Sequence, residues 1–217
     1  MIEAVIFDMD GLLIDSEPIW QEAEILVLTK VGVPLTIEMT AQTMGLRTDE
    51  VIEYWHRRYP WATPSQQEVC KELDATVIEL IKTKGVAKEG VKEAISVCKD
   101  AGLPVAIASS SPTLLIEAVV EKVGIAREID VIHSAHDESY GKPHPAVYIR
   151  TAESLQVHPN HCLAFEDSAN GVLSAKAAKM RCIAIPEPQA RNDKRFGIAD
   201  SILHSLKDFT PQMLKDW

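Results

Sequence analysis

The stretch Ala4-Val5-Ile6-Phe7-Asp8-Met9-Asp10-Gly11 decides how the rest of the chain is read. Four consecutive apolar residues bounded by turn formers predict a short strand buried on both faces, the kind found in parallel sheets. Two carboxylates follow, and alternation along an extended chain would point both to one side, with the turn at Gly11 free to alter that. Close carboxylates beside an apolar run are costly unless they are protonated, hydrogen-bonded or bound to a cation. An Asp-x-Asp pair alone is a weak signal, common in loops and helix caps. Its place after a first strand strengthens it, because open α/β sheets gather ligands beyond the carboxyl ends of their strands.

The same pattern recurs outward from this stretch. Val105-Ala106-Ile107-Ala108 runs into three serines, Cys162-Leu163-Ala164-Phe165 into Glu166-Asp167, and Cys182-Ile183-Ala184-Ile185 into Pro186. Helical patterns fill the intervals. Residues 89–101 place Val91, Ala94, Ile95 and Cys98 on one face before Gly102 and Pro104 stop them. A second helix runs from Pro112 to Val123, stopped by Gly124; a third opens at Pro145 and carries Tyr148, Ala152 and Leu155; an alanine-rich fourth spans Gly171 to Met180. Alternating strand and helix predicts an α/β fold with a doubly wound, Rossmann-like parallel sheet.

Residues 17–84 interrupt that alternation with helical periodicity and no buried strand. They read as a small α-helical cap inserted into a core made of residues 1–16 and 85–217. Ile19, Ala23 and Leu26 fit one helical face, Val51, Tyr54 and Trp55 a second, and Val69, Leu73, Val77 and Leu80 a third, with Pro60 to Pro64 breaking the middle. The rings of Tyr54, Trp55, Tyr59 and Trp61 are expected to fill the insert's core rather than stack on a ligand.

Composition narrows the function classes. Of 217 residues, 46% are hydrophobic and 25% charged, the proportions of an ordinary globular protein. A net charge of -10 without a basic stripe excludes a nucleic-acid partner. Pairs such as Arg57 with Arg58, or Lys82 with Lys84, read as solvated helical faces. No basic leader or long apolar segment opens the sequence, so neither membrane nor export is indicated, and a cytoplasmic monomer is expected. Cys70, Cys98, Cys162 and Cys182 lack metal-binding spacing and read as buried thiols.

The other strand ends supply complementary chemistry. Ser109-Ser110-Ser111 offers donors for phosphoryl oxygens, although a serine cluster commonly caps a helix. Gly141-Lys142-Pro143-His144-Pro145 holds a lysine in a stiff setting that suggests a positioned ammonium. Glu166 and Asp167 are hard oxygen ligands suited to Mg2+. His133, His136 and His144 read as structural or surface residues.

In this order the motifs resemble the haloacid dehalogenase-like superfamily, specifically its phosphatases with a helical cap after the first motif. Asp8-Met9-Asp10-Gly11, Ser109, Lys142 and Glu166-Asp167 match the four motifs, and the match spans nearly the whole chain. Gly45-Leu46-Arg47 and Lys142-Pro143-His144-Pro145 are similar to bacterial sugar-phosphate phosphatases, including those acting on hexitol phosphates and 2-deoxyglucose 6-phosphate. Lys179 before Met180 departs from the glycine common in that family. The resemblance implies that Asp8 is the nucleophile and forms an aspartyl-phosphate, and that Asp10 protonates the leaving alkoxide and then activates water. It implies Mg2+ held by Asp8, the Asp10 carbonyl, Asp167 and Glu166, with Ser109, Ser110 and Lys142 on the phosphoryl oxygens. Asn170 would orient Lys142 or the substrate. Arg47 would bond sugar hydroxyls, against the plainer reading of an exposed arginine capping a helix.

Four rivals stand against this small-molecule sugar phosphatase. A phosphonate hydrolase would need a cap lysine, where the segment after Asp15 offers only Lys30, which reads as an exposed helix-end charge. A dehalogenase lacks the second aspartate that Asp10 supplies. A β-phosphoglucomutase-type phosphomutase shares the core motifs, but uses a histidine where this chain has Trp20. A non-catalytic module binding a phosphorylated metabolite would keep the fold without the activity, yet every charged motif position is intact.

Overall fold

A computed structural model describes residues 1–215 and 217. Its sheet contains β1 (Ala4–Phe7), β2 (Val105–Ser109), β3 (Val131–Ser134), β4 (Cys162–Glu166), β5 (Arg181–Ala184) and β6 (Ser201–Ile202). All pairings are parallel, in the order β3-β2-β1-β4-β5-β6, so the first strand lies at the centre between β2 and β4. The doubly wound fold class is therefore as the sequence predicts.

Side-chain alternation explains why the sheet carries helices on both faces. Val5 and Phe7 point to one side, into a layer with Ile107, Leu163 and Phe165; Ala4 and Ile6 point to the other, with Ala106, Ala164, Val147 and Val172. Phe7 and Phe165 stack with centroids 4.8 Å apart, and each such buried ring contributes about 1.5–3 kcal/mol by leaving water. The covering helices are α5 (Val91–Asp100), α6 (Thr113–Val123), α7 (Ala146–Ser154) and α8 (Ala169–Ala177). Gly124 ends α6 in the left-handed conformation, with its N–H bonded back to the last turn.

Between β1 and α5 the chain is helical: α1 (Glu17–Leu28), α2 (Ile37–Thr40), α3 (Thr48–Arg58) and α4 (Gln66–Lys84). A capping box at Ser65 and Glu68 starts α4. Trp55, Leu73 and Val77 are fully buried and join the same apolar cluster as Val5 and Phe7, so the insert's core continues into one face of the sheet. None of the described helices is long and apolar enough to cross a membrane.

Two readings are corrected. Leu26 is exposed, and Val27 and Leu28 take the inward face of α1, because the helix turns on a register set by Ile19, Ala23 and Glu24. β3 and β6 were absent from the sequence-derived strand set: β3 is half-buried and carries His133, and β6 is two residues long, so neither shows an apolar run.

Candidate active site

Beyond Phe7 the chain turns sharply, with Leu13 N donating to Met9 O at 2.8 Å and Gly11 N to Ile14 O at 3.0 Å. Met9 is buried in the core, whereas Asp8 and Asp10 both line a cavity of about 440 Å3 between the strand ends and the insert. Gly11 has φ +74°, and a Cβ there would lie 2.1 Å from Asp167 Oδ2. A side chain at this turn would displace the second acidic motif.

Lys142 is the centre of the core end. It is buried, and its ammonium donates to Asp8 Oδ1 and Glu166 Oε1, both at 2.6 Å, and to Ala108 O at 3.0 Å. Those bonds use all three of its protons. Burial alone would lower Lys142, but the Asp8 and Glu166 carboxylates outweigh it and hold the ammonium above its ordinary value. Glu166, fully buried, also accepts from Tyr148 OH at 2.7 Å, and its second oxygen from Ser168 N and Oγ at 3.4 and 3.3 Å. This packing needs Gly171, where a Cβ would fall 1.9 Å from the Glu166 carboxylate.

The carboxylates outnumber the cations here. Asp8, Glu166 and Asp167 each place an oxygen within 4.8 Å of the others. Burial pushes Asp8 up to about 7, partly offset by Lys142 and reinforced by Glu166 and Asp10; burial and the neighbouring Asp8 and Glu166 push Asp167 well above the carboxylate range. A divalent cation fits such a cluster, because it supplies the missing positive charge and takes oxygen ligands.

Asp10 is gripped from two sides. Trp20 Nε1, on α1, donates to Oδ1 at 3.0 Å, and Ser111 Oγ donates to Oδ2 at 2.7 Å. Ser109 is fully buried; its hydroxyl accepts from Ser111 N at 3.0 Å and reaches Asp10 Oδ2 only at 3.5 Å. Ser110, Ser111 and Asn170 line the cavity. Asn170 does not orient Lys142, whose protons are already placed.

The profile of a haloacid dehalogenase-like hydrolase matches residues 2–179. The chain belongs to that family. Hexitol phosphatase B of Escherichia coli K12 is 44% identical over 214 residues, covering 98% of this chain and 96% of that protein. CbbY of Rhodobacter sphaeroides, solved in complex with phosphate, superposes with a TM-score of 0.88 at 27% identity, over 96% of each chain. β-Phosphoglucomutase of Clostridium difficile shares the fold, with a TM-score of 0.85 at 21% identity, covering 100% of this chain and 96% of the other.

Within this family frame, Arg47 lies elsewhere than the sequence reading placed it. Its guanidinium donates to Ala135 O at 3.1 Å and Glu138 O at 2.9 Å, and to both Asp49 oxygens at 3.0 and 2.6 Å. With 12% of the side chain exposed it is neither a sugar ligand in the cavity nor an exposed cap. It starts α3 and ties the insert to the loop after β3, its stem packing over Gly141. His133 bonds Glu138 at 2.8 Å and His144 is exposed, so neither faces the cavity.

Four residues of the site escaped sequence reasoning. Tyr148 shows in the sequence only as part of a helical face, although a buried tyrosine needs a partner for its hydroxyl. In the sequence Ser111 is one of three consecutive serines, Trp20 stands out only as the residue in place of a histidine, and Glu24 is one of many acids on a helical pattern. Glu24 is 5% exposed, lies on the inward face of α1 and lines the cavity.

Proposed function

We propose that this protein is a magnesium-dependent phosphatase that hydrolyses small sugar phosphates, of the hexose or hexitol 6-phosphate type, through an aspartyl-phosphate on Asp8. The observation that carries the reading is the Asp8–Lys142–Glu166 triad sharing one cavity with Asp10, in a chain 44% identical to a hexitol phosphatase.

The chemistry follows from the donors and acceptors in place. A carboxylate oxygen of Asp8 attacks phosphorus, the phosphorus–oxygen bond of the ester breaks, and Asp10 gives its proton to the departing alkoxide. Water then attacks the same phosphorus as Asp10 takes back a proton, the bond to Asp8 breaks, and inorganic phosphate leaves. Ser110 and Ser111, which line the cavity, meet the phosphoryl oxygens, and Lys142, bonded to Asp8, supplies the fixed positive charge beside them. Trp20 and Ser111 hold the Asp10 carboxyl in one orientation for both proton transfers. An indole donates but cannot accept a proton, which favours hydrolysis over return of the phosphate to the sugar.

Mg2+ would be held by the Asp8 and Asp167 carboxylates and the Asp10 carbonyl. Glu166 contributes charge rather than a free oxygen, since Lys142, Tyr148 and Ser168 occupy both of its oxygens. When bound, the ion neutralises the carboxylate cluster and shares the phosphoryl charge. All four cysteines are free, which supports a place in the reducing cytoplasm.

The test is phosphate release from hexitol, hexose and pentose phosphates, with and without chelator. The parent should turn over polyol phosphates only with Mg2+, and Asp8→Asn should lose at least ~10^4-fold in kcat. Turnover by Asp8→Asn near that of the parent would remove the aspartyl-phosphate route, and full activity in excess chelator would remove the metal.

A further inference from the structure

The insert end of the cavity sets uncharged donors and acceptors around Glu24, with Glu17 at the start of the same helix also on the lining. Glu24 on α1 lies with Gln21 from the same helix and with Thr40, Gln42 and Thr43 from α2 and the turn after it, all lining the space that reaches Asp8 and Lys142. Thr40 and Thr43 are buried, so this is an interior surface rather than a solvated rim.

Glu24 is poorly satisfied for a buried acid. Its one hydrogen bond among the described residues comes from Thr43 Oγ1, at 3.4 Å. The same hydroxyl also lies 3.1 Å from Thr40 O, so its single proton is shared between two acceptors and the bond to Glu24 is weak. A buried carboxyl left so short of partners destabilises the fold, and a ligand supplying hydroxyls would offset that loss. No lysine or arginine faces it across the cavity except Arg195 on the far wall and Lys142, which is committed to Asp8 and Glu166.

We propose that Glu24, steadied by Thr43, is the specificity residue that hydrogen-bonds the hydroxyls of the polyol chain while the phosphoryl group sits at Asp8. The inference rests on the sugar-phosphatase reading above and names the group that recognises the sugar. Burial, with Glu17 adding to it and the Thr43 bond opposing, pushes Glu24 up to about 8. At neutral pH the carboxyl therefore keeps its proton and both donates to one hydroxyl and accepts from another. Adjacent hydroxyls of a hexitol or hexose present that alternation. Arg47, spent on Ala135, Glu138 and Asp49, leaves this role open.

The experiment compares kcat/KM for a hexitol 6-phosphate and for nitrophenyl phosphate, which has no hydroxyl chain. Glu24→Leu should lower the hexitol value about 10- to 100-fold, the effect of one or two lost hydrogen bonds, and change the nitrophenyl value less than about threefold. Glu24→Gln should restore most of the hexitol activity, which a purely structural role would not predict. Should Glu24→Leu fail to fold, Glu24→Ala gives the same ratio. Equal losses on both substrates, or an unchanged ratio, overturn the assignment. So does a loss confined to an amino-sugar phosphate, which would make Glu24 a counter-ion. If the parent prefers hexitol phosphate and the variants keep that preference, only Glu24 falls; if the parent ignores every polyol phosphate, the sugar-phosphatase reading falls with it.

Discussion

At the core end of the cavity Lys142 and Glu166 place every proton and oxygen against a neighbour, while at the insert end Glu24 has one long hydrogen bond. The difference separates two tasks. A phosphoryl group is the same in every ester, so the residues that meet it can be locked in advance, and preorganised charge is what lowers the barrier. Leaving groups differ, and the groups that tell them apart must be incomplete until the right one arrives.

The largest break in this comparison should come from Gly171→Ala. A methyl 1.9 Å from the Glu166 carboxylate cannot be accommodated, so Glu166 must leave Lys142 and Tyr148. Disrupting a buried charge pair costs about 3–5 kcal/mol, and we expect kcat/KM for all substrates alike to fall at least ~100-fold. Activity within tenfold of the parent, in a folded variant, would show that the core end is not locked.

A smaller effect tests where the two ends meet. Trp20 belongs to the insert but bonds Asp10 of the core. Trp20→Phe removes that donor and should lower kcat toward hexitol phosphate about tenfold, the worth of one hydrogen bond. Nitrophenyl phosphate, whose leaving group departs without a proton, should suffer less. Equal losses would place Trp20 in packing alone.

The smallest effect is on stability. Glu24 is raised to about 8 from an ordinary value near 4.5. Between those values the folded protein holds a proton that the unfolded chain has released, so stability falls as pH rises through that window. Glu24→Gln cannot ionise. Its Tm should exceed the parent's by a few degrees at pH 9 and match it more closely at pH 5. Parallel Tm curves from pH 5 to 9 would show that Glu24 ionises freely in the fold.

The same contrast governs what the sequence revealed. Asp8, Asp10, Glu166 and Asp167 were legible because charge beside an apolar run is a local anomaly, and β1 and β4, which lead into them, are buried on both faces; Lys142 was legible from its stiff setting between Gly141 and Pro143. Glu24, Trp20 and Tyr148 were not. Each sits in an ordinary amphipathic helix, and the partner that gives it meaning is set by the tertiary fold: Tyr148 meets Glu166 across a strand and a turn, and Trp20 meets Asp10 only because α1 folds back over the loop. Arg47 was misplaced for the same reason, since carbonyls such as those of Ala135 and Glu138 leave no trace in a side-chain pattern.

The central position of β1 has a consequence for how the molecule is made. This strand ends at Phe7, but its two neighbours begin at Val105 and Cys162. During synthesis β1 leaves the ribosome early and waits, its backbone bonds unmade, until β2 and then β4 emerge to either side. The helices between Glu17 and Lys84 need no such delay, since their backbone bonds are local. Asp8, at the tip of the waiting strand, thus meets Lys142 and Glu166 only after both have been translated, so that the site forms later than the helices between Glu17 and Lys84.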